Sequence, residues 1–153
     1  MKSVKIMTRI ETPEEILEQT SPQGKFLYKK FEKMNKEYEY LRTKAIKSYN
    51  KDDRFFVFKY TEQQTSFTKD LADDLMYHHP DKVVVLAREK DGYYVMSIRT
   101  SEEGPVIKDV VEKSFMGLDA SGGGHAHACG CRIKKEDFAT FLERLREQLT
   151  VKA

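Results

Sequence analysis

The residues of this chain best suited to chemistry are concentrated in Ser121-Gly122-Gly123-Gly124-His125-Ala126-His127-Ala128-Cys129-Gly130. Three consecutive glycines cost backbone entropy on folding, so an ordered protein keeps them where side chains would obstruct something. With no Cβ atoms in the way, successive backbone N–H groups can curl toward one point and form a concave anion site. A phosphate is the natural occupant. His125 follows at once, with a ring N–H that reaches the same oxygens and a charge tunable near neutral pH. The competing use of such a run is a flexible hinge between two elements. Arg99 is the second candidate, at the end of the strand-like stretch Met96-Ser97-Ile98-Arg99-Thr100-Ser101. A planar guanidinium grips phosphate oxygens bidentately, more specifically than a lysine. Its competing role is an ion pair with an acid such as Glu102 or Glu103. Thr100, Ser101 and Ser121 add hydroxyl donors beside these two motifs.

Two other clusters invite a metal and are answered by geometry. His125, His127, Cys129 and Cys131 alternate along the chain. On an extended strand the first and last lie ~20 Å apart, whereas ligands of one tetrahedral ion lie within ~4 Å of each other. The two cysteine Cα atoms would be ~6.8 Å apart on such a strand, at the limit of disulfide reach, so free thiols are expected. The second cluster is Asp73-Asp74 with His78-His79-Pro80-Asp81. Its acids fall inside a helical pattern, and Pro80 ends that helix just beyond the histidines. Only if these four side chains converged would an autonomous hydrolase follow.

The elements that must position these groups can be read from periodicity. Thr12-Pro13-Glu14-Glu15 marks a helix start, with Thr12 as N-cap and Glu15 completing a capping box. A long helix from about Lys25 to Tyr49 carries a seam of Leu27, Phe31, Met34, Tyr38, Leu41 and Ala45, spaced 4-3-4-3-4. Such a helix is longer than a compact domain needs, which leaves two uses open: packing on another domain or another copy, or ordinary packing on its own sheet. Phe55 to Tyr60 and Lys82 to Arg88 are apolar runs expected as strands covered on both faces. Between them Phe67 to His78 is helical. Asp91-Gly92 signals a hairpin into a strand from Tyr93 to Thr100. Glu103-Gly104-Pro105 opens a helix to about Met116; a strand from Ala128 to Ile133 and a last helix with Phe138, Phe141, Leu142, Leu145 and Leu149 on one side follow. The expected fold is α/β: a mixed sheet of about four to five strands with helices on both faces, preceded by a long N-terminal linker helix. Residues 1–50 form the helical linker and 51–153 the folded domain in this reading.

Bulk properties narrow the partners. No apolar run approaches a membrane span, and the first residues lack the apolar core of a signal peptide, so cytoplasmic residence is the expectation. The net charge of +2 is unevenly spread: Lys25 to Arg54 holds ten Lys/Arg against five Asp/Glu, and Thr65 to Ala120 seven against eleven. The basic excess therefore lies on the long helix, as an electrostatic footprint or as a solvated surface.

Gly122-Gly123-Gly124-His125, followed by Ala128 and Gly130, resembles the Gly-Gly-Gly-His signature of the DHH-associated domain, the C-terminal half of DHH-family phosphoesterases. Met96 to Ser101 is similar to that family's strand ending in an Arg-Ser/Thr pair. The family includes RecJ-like single-strand exonucleases, the nanoRNase/pAp phosphatase group and cyclic-dinucleotide phosphodiesterases; the glycine motif alone is also similar to the C-terminal domain of alanyl-tRNA synthetases. The likeness runs over about residues 52–150. His127 stands where those families often carry asparagine or a similar polar residue. The resemblance implies a domain that binds the phosphate of a nucleotide or single-stranded nucleic acid through Arg99, Thr100, Ser101, Ser121, Gly122, Gly123, Gly124 and His125, with no catalytic residue or cofactor of its own. Two divalent metal ions, usually manganese, are implied only for the DHH half, which this sequence lacks. The chain is then inactive alone, with a DHH catalytic domain as partner in cis or trans. The alternative is a free-standing, non-catalytic nucleic-acid-binding or interaction module of a replication or repair assembly, self-associating through the Leu27–Ala45 helix.

Overall fold

The computed structural model of the protein describes residues 2–61 and 66–150. Among these, no helix is long and apolar enough to cross a membrane. The chain divides into two compact units, Met1–Lys44 and Ala45–Ala153.

The first unit is helical, with α1 at Lys2–Met7, α2 at Pro13–Leu17 and most of α3, which runs over Pro22–Lys47. Pro13 starts α2 as expected, but the capping box is incomplete. The Thr12 side chain makes no cap bond, and the Glu15 carboxylate accepts the N–H of Glu11 at 3.0 Å. Met7, Ile16, Leu17, Leu27, Tyr28 and Phe31 line an apolar groove of about 310 Å³. Phe31, on the 4-3-4-3-4 seam, stays 59% exposed.

The second unit is a five-stranded mixed sheet in the order β1-β2-β3-β5-β4. Its elements are β1 (Phe55–Thr61), α4 (Thr68–His78), β2 (Val83–Lys90), β3 (Tyr93–Arg99), α5 (Lys108–Ser114), β4 (Ala120–His125), β5 (Ala128–Lys134) and α6 (Phe138–Thr150). The β1–β2 pair is parallel and connected through α4, while all other pairs are antiparallel. Asp91 and Gly92, with φ of 51° and 77°, form the tight turn between β2 and β3. Helices α5 and α6 cover one face over a core that includes Val83, Val85, Met96, Ile98, Cys129, Cys131, Phe141 and Leu145. On the opposite face α4 packs on β2 and β3. The α6 helix is tied to the start of β1 by Arg146, whose guanidinium donates to both carboxylate oxygens of Asp53 at 2.7 and 2.9 Å.

Three expectations need correction. β1 is an edge strand, so Val57 is only half-buried and Lys59 is exposed, where burial on both faces was expected. α5 starts at Lys108, because the residues before it are drawn to the neighbouring turn: Ile107 donates its N–H to the Ala126 carbonyl at 2.7 Å. Most consequentially, the glycine run is not a loop. It is β4, paired throughout with β5.

Candidate functional site

The β4–β5 hairpin exists because its glycines allow two backbones to approach closely. A Cβ on Gly124 would fall 2.2 Å from the Ala128 carbonyl oxygen and 2.7 Å from the Cys129 Cα. At Gly122, whose φ is +147°, a Cβ would meet the Gly130 oxygen and the Cys131 Cα. Side chains here would push the strands apart. An extended strand does not converge its N–H groups on one point, so the concave cradle expected from the sequence is replaced by another arrangement. β4 is the last strand of the sheet, and its outer edge has no strand partner among the described residues.

Register brings the two motifs into one row. Arg99 of β3 pairs with Ala128 of β5, which pairs with His125 of β4. Two residues along, on the same face, the row is Ser97, Gly130 and Gly123, in which the two outer strands bear no side chain. His125, Gly124, Gly122 and Ser121 are exposed, and Gly123 is half-buried. Neighbouring strands lie ~4.8 Å apart, which sets Arg99 and His125 roughly 10 Å apart at the backbone with only alanine between them.

Arg99 is buried at 8% exposure, and its guanidinium is already engaged. Its Nε donates to Asp73 Oδ1 of α4 at 2.5 Å. Its Nη1 donates to the Ile98 and Cys129 carbonyls at 3.0 and 3.2 Å. The partner acid is thus Asp73, not Glu102 or Glu103, and Nη2 alone makes no hydrogen bond among the described residues. A fully bidentate grip requires Asp73 to yield. Thr100 and Ser101 are committed locally: Thr100 Oγ1 donates to the Pro105 carbonyl at 2.9 Å and lies 3.1 Å from His127 Nδ1, while Ser101 Oγ donates to the Pro80 carbonyl at 2.8 Å. Ser101 also lines a cleft of about 580 Å³ with Arg54, Pro80, Lys82 and Glu103. The Lys82 ammonium there is already held by the Lys51 and Asp53 carbonyls.

The two cysteines are free and face the core. Burial pushes the Cys131 thiol up to about 12. Burial raises Cys129 as well, reinforced by the charge of Glu112. Neither is primed as a thiolate. The Asp-Asp and His-His cluster is dispersed into other roles. Asp73 serves Arg99, His78 Nδ1 lies 2.9 Å from the Asp74 carbonyl oxygen, and His79 stacks on Tyr49 at 4.3 Å between ring centroids. Among the described residues no group of three or more His, Cys, Asp or Glu is gathered to hold a metal ion. Two partners are not evident from the sequence. Asp73 stands there only as part of the acidic cluster. Arg132 sits over the Tyr93 ring at 3.4 Å from its centroid; the signal available for it was the i, i+2 alternation with Gly130 and Ala128.

The family model described as the DHHA1 domain matches residues 53–150. No curated protein matches the chain. Among solved structures, the chain is similar to the C-Ala domain of Aquifex aeolicus alanyl-tRNA synthetase, at 24% identity and a TM-score of 0.55 over 62% of this chain and 89% of that one. It is similar to RecJ from Thermus thermophilus in complex with Mn2+, at 16% identity and a TM-score of 0.61 over 84% of this chain and 19% of that one. It is also similar to PggH, a pGpG-specific phosphodiesterase from Vibrio cholerae, at 17% identity and a TM-score of 0.59, covering 87% of this chain and 44% of that one. At these identities the likeness is one of fold. The chain spans about a fifth of the Thermus RecJ chain and less than half of PggH.

Proposed function

Because the chain belongs to the DHHA1 domain family, we propose that it is the substrate-binding part of a DHH-type phosphoesterase, holding a phosphate of a nucleotide or of single-stranded nucleic acid. The observation that carries this reading is the row Arg99–Ala128–His125 beside a glycine strand with a free edge. A phosphate seated over that row meets the Arg99 Nη2 and the His125 ring, with no side chain on Gly122, Gly123 or Gly124 to hold it off. Ser121 lies on the same strand, and Thr100 and Ser101 complete the site from the loop after β3, which their hydroxyls fix by donating to the Pro105 and Pro80 carbonyls. The chemistry belongs to a separate DHH domain and its metal ions. This domain contributes positioning of the scissile bond, which lowers a barrier without any reacting group of its own.

The test is a two-dimensional NMR titration with a mononucleotide. Shifts concentrated at Gly122 to His125 and at Arg99 are expected. Arg99→Ala and His125→Ala should each weaken binding about tenfold or more, because a charge-assisted hydrogen bond contributes roughly 1.5–3 kcal/mol. Tight binding by the wild type, left unchanged in both variants, overturns the reading. A second reading, the non-catalytic module, is favoured by the apolar groove of the first unit with its exposed Phe31 and Leu17.

A further inference from the structure

We infer that the open face of β5 carries a second subsite, a stacking platform built by Arg132 on Tyr93, and that the ligand is therefore a single strand of at least two nucleotides. The inference rests on the reading of Arg99 and His125 as the phosphate site and extends it along the sheet.

Alternation along β5 sets Ala128, Gly130 and Arg132 on one face, and their β3 partners Arg99, Ser97 and Val95 on the same face. α4 packs chiefly on β2 and β3 on that face, and Gly130 and Arg132 of β5 are exposed. From Ala128 to Arg132 is ~14 Å along an extended strand, beyond the reach of a mononucleotide whose own phosphate is held at the Arg99 row. The ground between is the Gly130–Gly123 pair, which bears no side chain of its own; the Glu112 carboxylate reaches Gly123, its Oε1 3.4 Å from where a Cβ would stand, so the open path for a sugar-phosphate chain runs over Gly130.

The far end has the chemistry for an unpaired base. The Arg132 guanidinium lies 3.4 Å from the Tyr93 ring centroid and makes no ion pair among the described residues. One flat face rests on the tyrosine, and the other is turned away from it. The tyrosine is itself fixed, its hydroxyl donating to Asp119 Oδ2 at 2.9 Å. Guanidinium planes and aromatic rings are the surfaces on which exposed bases of single strands stack. A duplex hides those base faces. The neighbouring Lys134, 3.5 Å from Glu136, keeps the end of the strand from being acidic. On this face Arg99 is balanced by Asp73, and Arg132, in no ion pair among the described residues, offers a further positive charge to a polyanion running down β5.

The experiment compares adenosine monophosphate, a tetra-adenylate and a duplex of the same length against wild type, Arg132→Ala, Arg132→Lys and Arg99→Ala. The wild type should bind the tetra-adenylate about tenfold more tightly than the mononucleotide, the scale of one stacked base, and gain nothing on the duplex. Arg132→Ala and Arg132→Lys should both erase that advantage, the lysine because it keeps charge without the plane, and both should leave mononucleotide affinity unchanged. Arg99→Ala should weaken both single-stranded ligands. A tetra-adenylate bound equally by wild type and Arg132→Ala overturns the inference while leaving the Arg99 site standing. So does rescue of the length advantage by Arg132→Lys, which reduces the platform to a point charge. Mononucleotide affinity unaltered by Arg99→Ala overturns the phosphate site and this extension together.

Discussion

At the scale of single residues, the site turns on who holds the Arg99 guanidinium. A buried cation needs a counter-charge, and removing one partner of such a pair leaves the other exposed to the full desolvation cost. Asp73 supplies that charge through Nε. Orientation, however, does not depend on it, because Nη1 is anchored by the Ile98 and Cys129 carbonyls. Asp73 therefore occupies the edge that a phosphate would use and repels the phosphate besides. Two unit charges 4 Å apart repel by about 1 kcal/mol in water, or about fivefold in affinity. We predict that Asp73→Asn, which keeps an acceptor for Nε without the charge, tightens mononucleotide binding by about that factor at low salt. The gain should fade as salt rises. Calorimetric titration of wild type and variant at two salt concentrations checks it, and weaker binding by the variant would make Asp73 a clamp on Arg99 and not its competitor. His127 shows the same economy. Thr100 Oγ1 donates to the Pro105 carbonyl, so toward His127 it can only accept, which places the hydrogen on Nδ1 and leaves Nε2 as the ring's outward nitrogen.

At the scale of elements, the glycines act through the pairing of β4 with β5. Gly124→Ala would put a methyl group 2.2 Å from a backbone oxygen that no side-chain rotation can move. The hairpin must open, at a cost of roughly 1–3 kcal/mol as for other overpacked sites. Gly130→Ala meets only the Met96 oxygen at 3.9 Å and should be nearly neutral for stability. Thermal unfolding of the two variants separates them; equal destabilisation would mean that close approach is not what Gly124 serves. This also explains what the sequence concealed. The apolar run at Val83–Ala87 is legible because β2 is buried on both faces, and the stripe of α6 because its burial repeats with the helical period. β4 has no such pattern. Glycine disfavours strands by propensity, and this one forms because β5 lies beside it, a non-local cause. The Asp91-Gly92 turn was legible for the opposite reason, since two residues with positive φ are a local requirement. Within the site, Arg99 and His125 could be singled out by type and position. Their placement in one row, and the claim of Asp73 on Arg99, depend on strand order and on α4, which periodicity does not report.

At the scale of the whole molecule, the two compact units divide the properties of the chain. The family match, the core cluster and the Arg99–His125 row all lie within Ala45–Ala153. Exposed apolar side chains occur in both units, among them Tyr77, Val106 and Met116 in the second, but Val4, Met7, Leu17, Phe26 and Phe31 are concentrated in the much shorter Met1–Lys44. A unit of 109 residues with helices on both faces of its sheet has the size of an independent domain. Residues 45–153 should therefore fold cooperatively alone and bind a mononucleotide as the full chain does. The first unit makes a different demand. Covering an apolar side chain of this size contributes about 1.5–3 kcal/mol, so a groove edged by Leu17 and Phe31 can support weak pairing of two copies along the α3 seam. Against this stands the lysine-rich surface of α3, whose like charges oppose self-association and yield to screening. The balance predicts a monomer at low salt and a reversible dimer at high salt and high concentration. Phe31→Glu or deletion of residues 1–44 should abolish the dimer with nucleotide affinity intact. Sedimentation equilibrium across salt checks this. A monomer under every condition would assign the groove to a different chain, and a dimer that survives the deletion would move the contact to the sheet, where the edges of β1 and β4 are the strands left to make it.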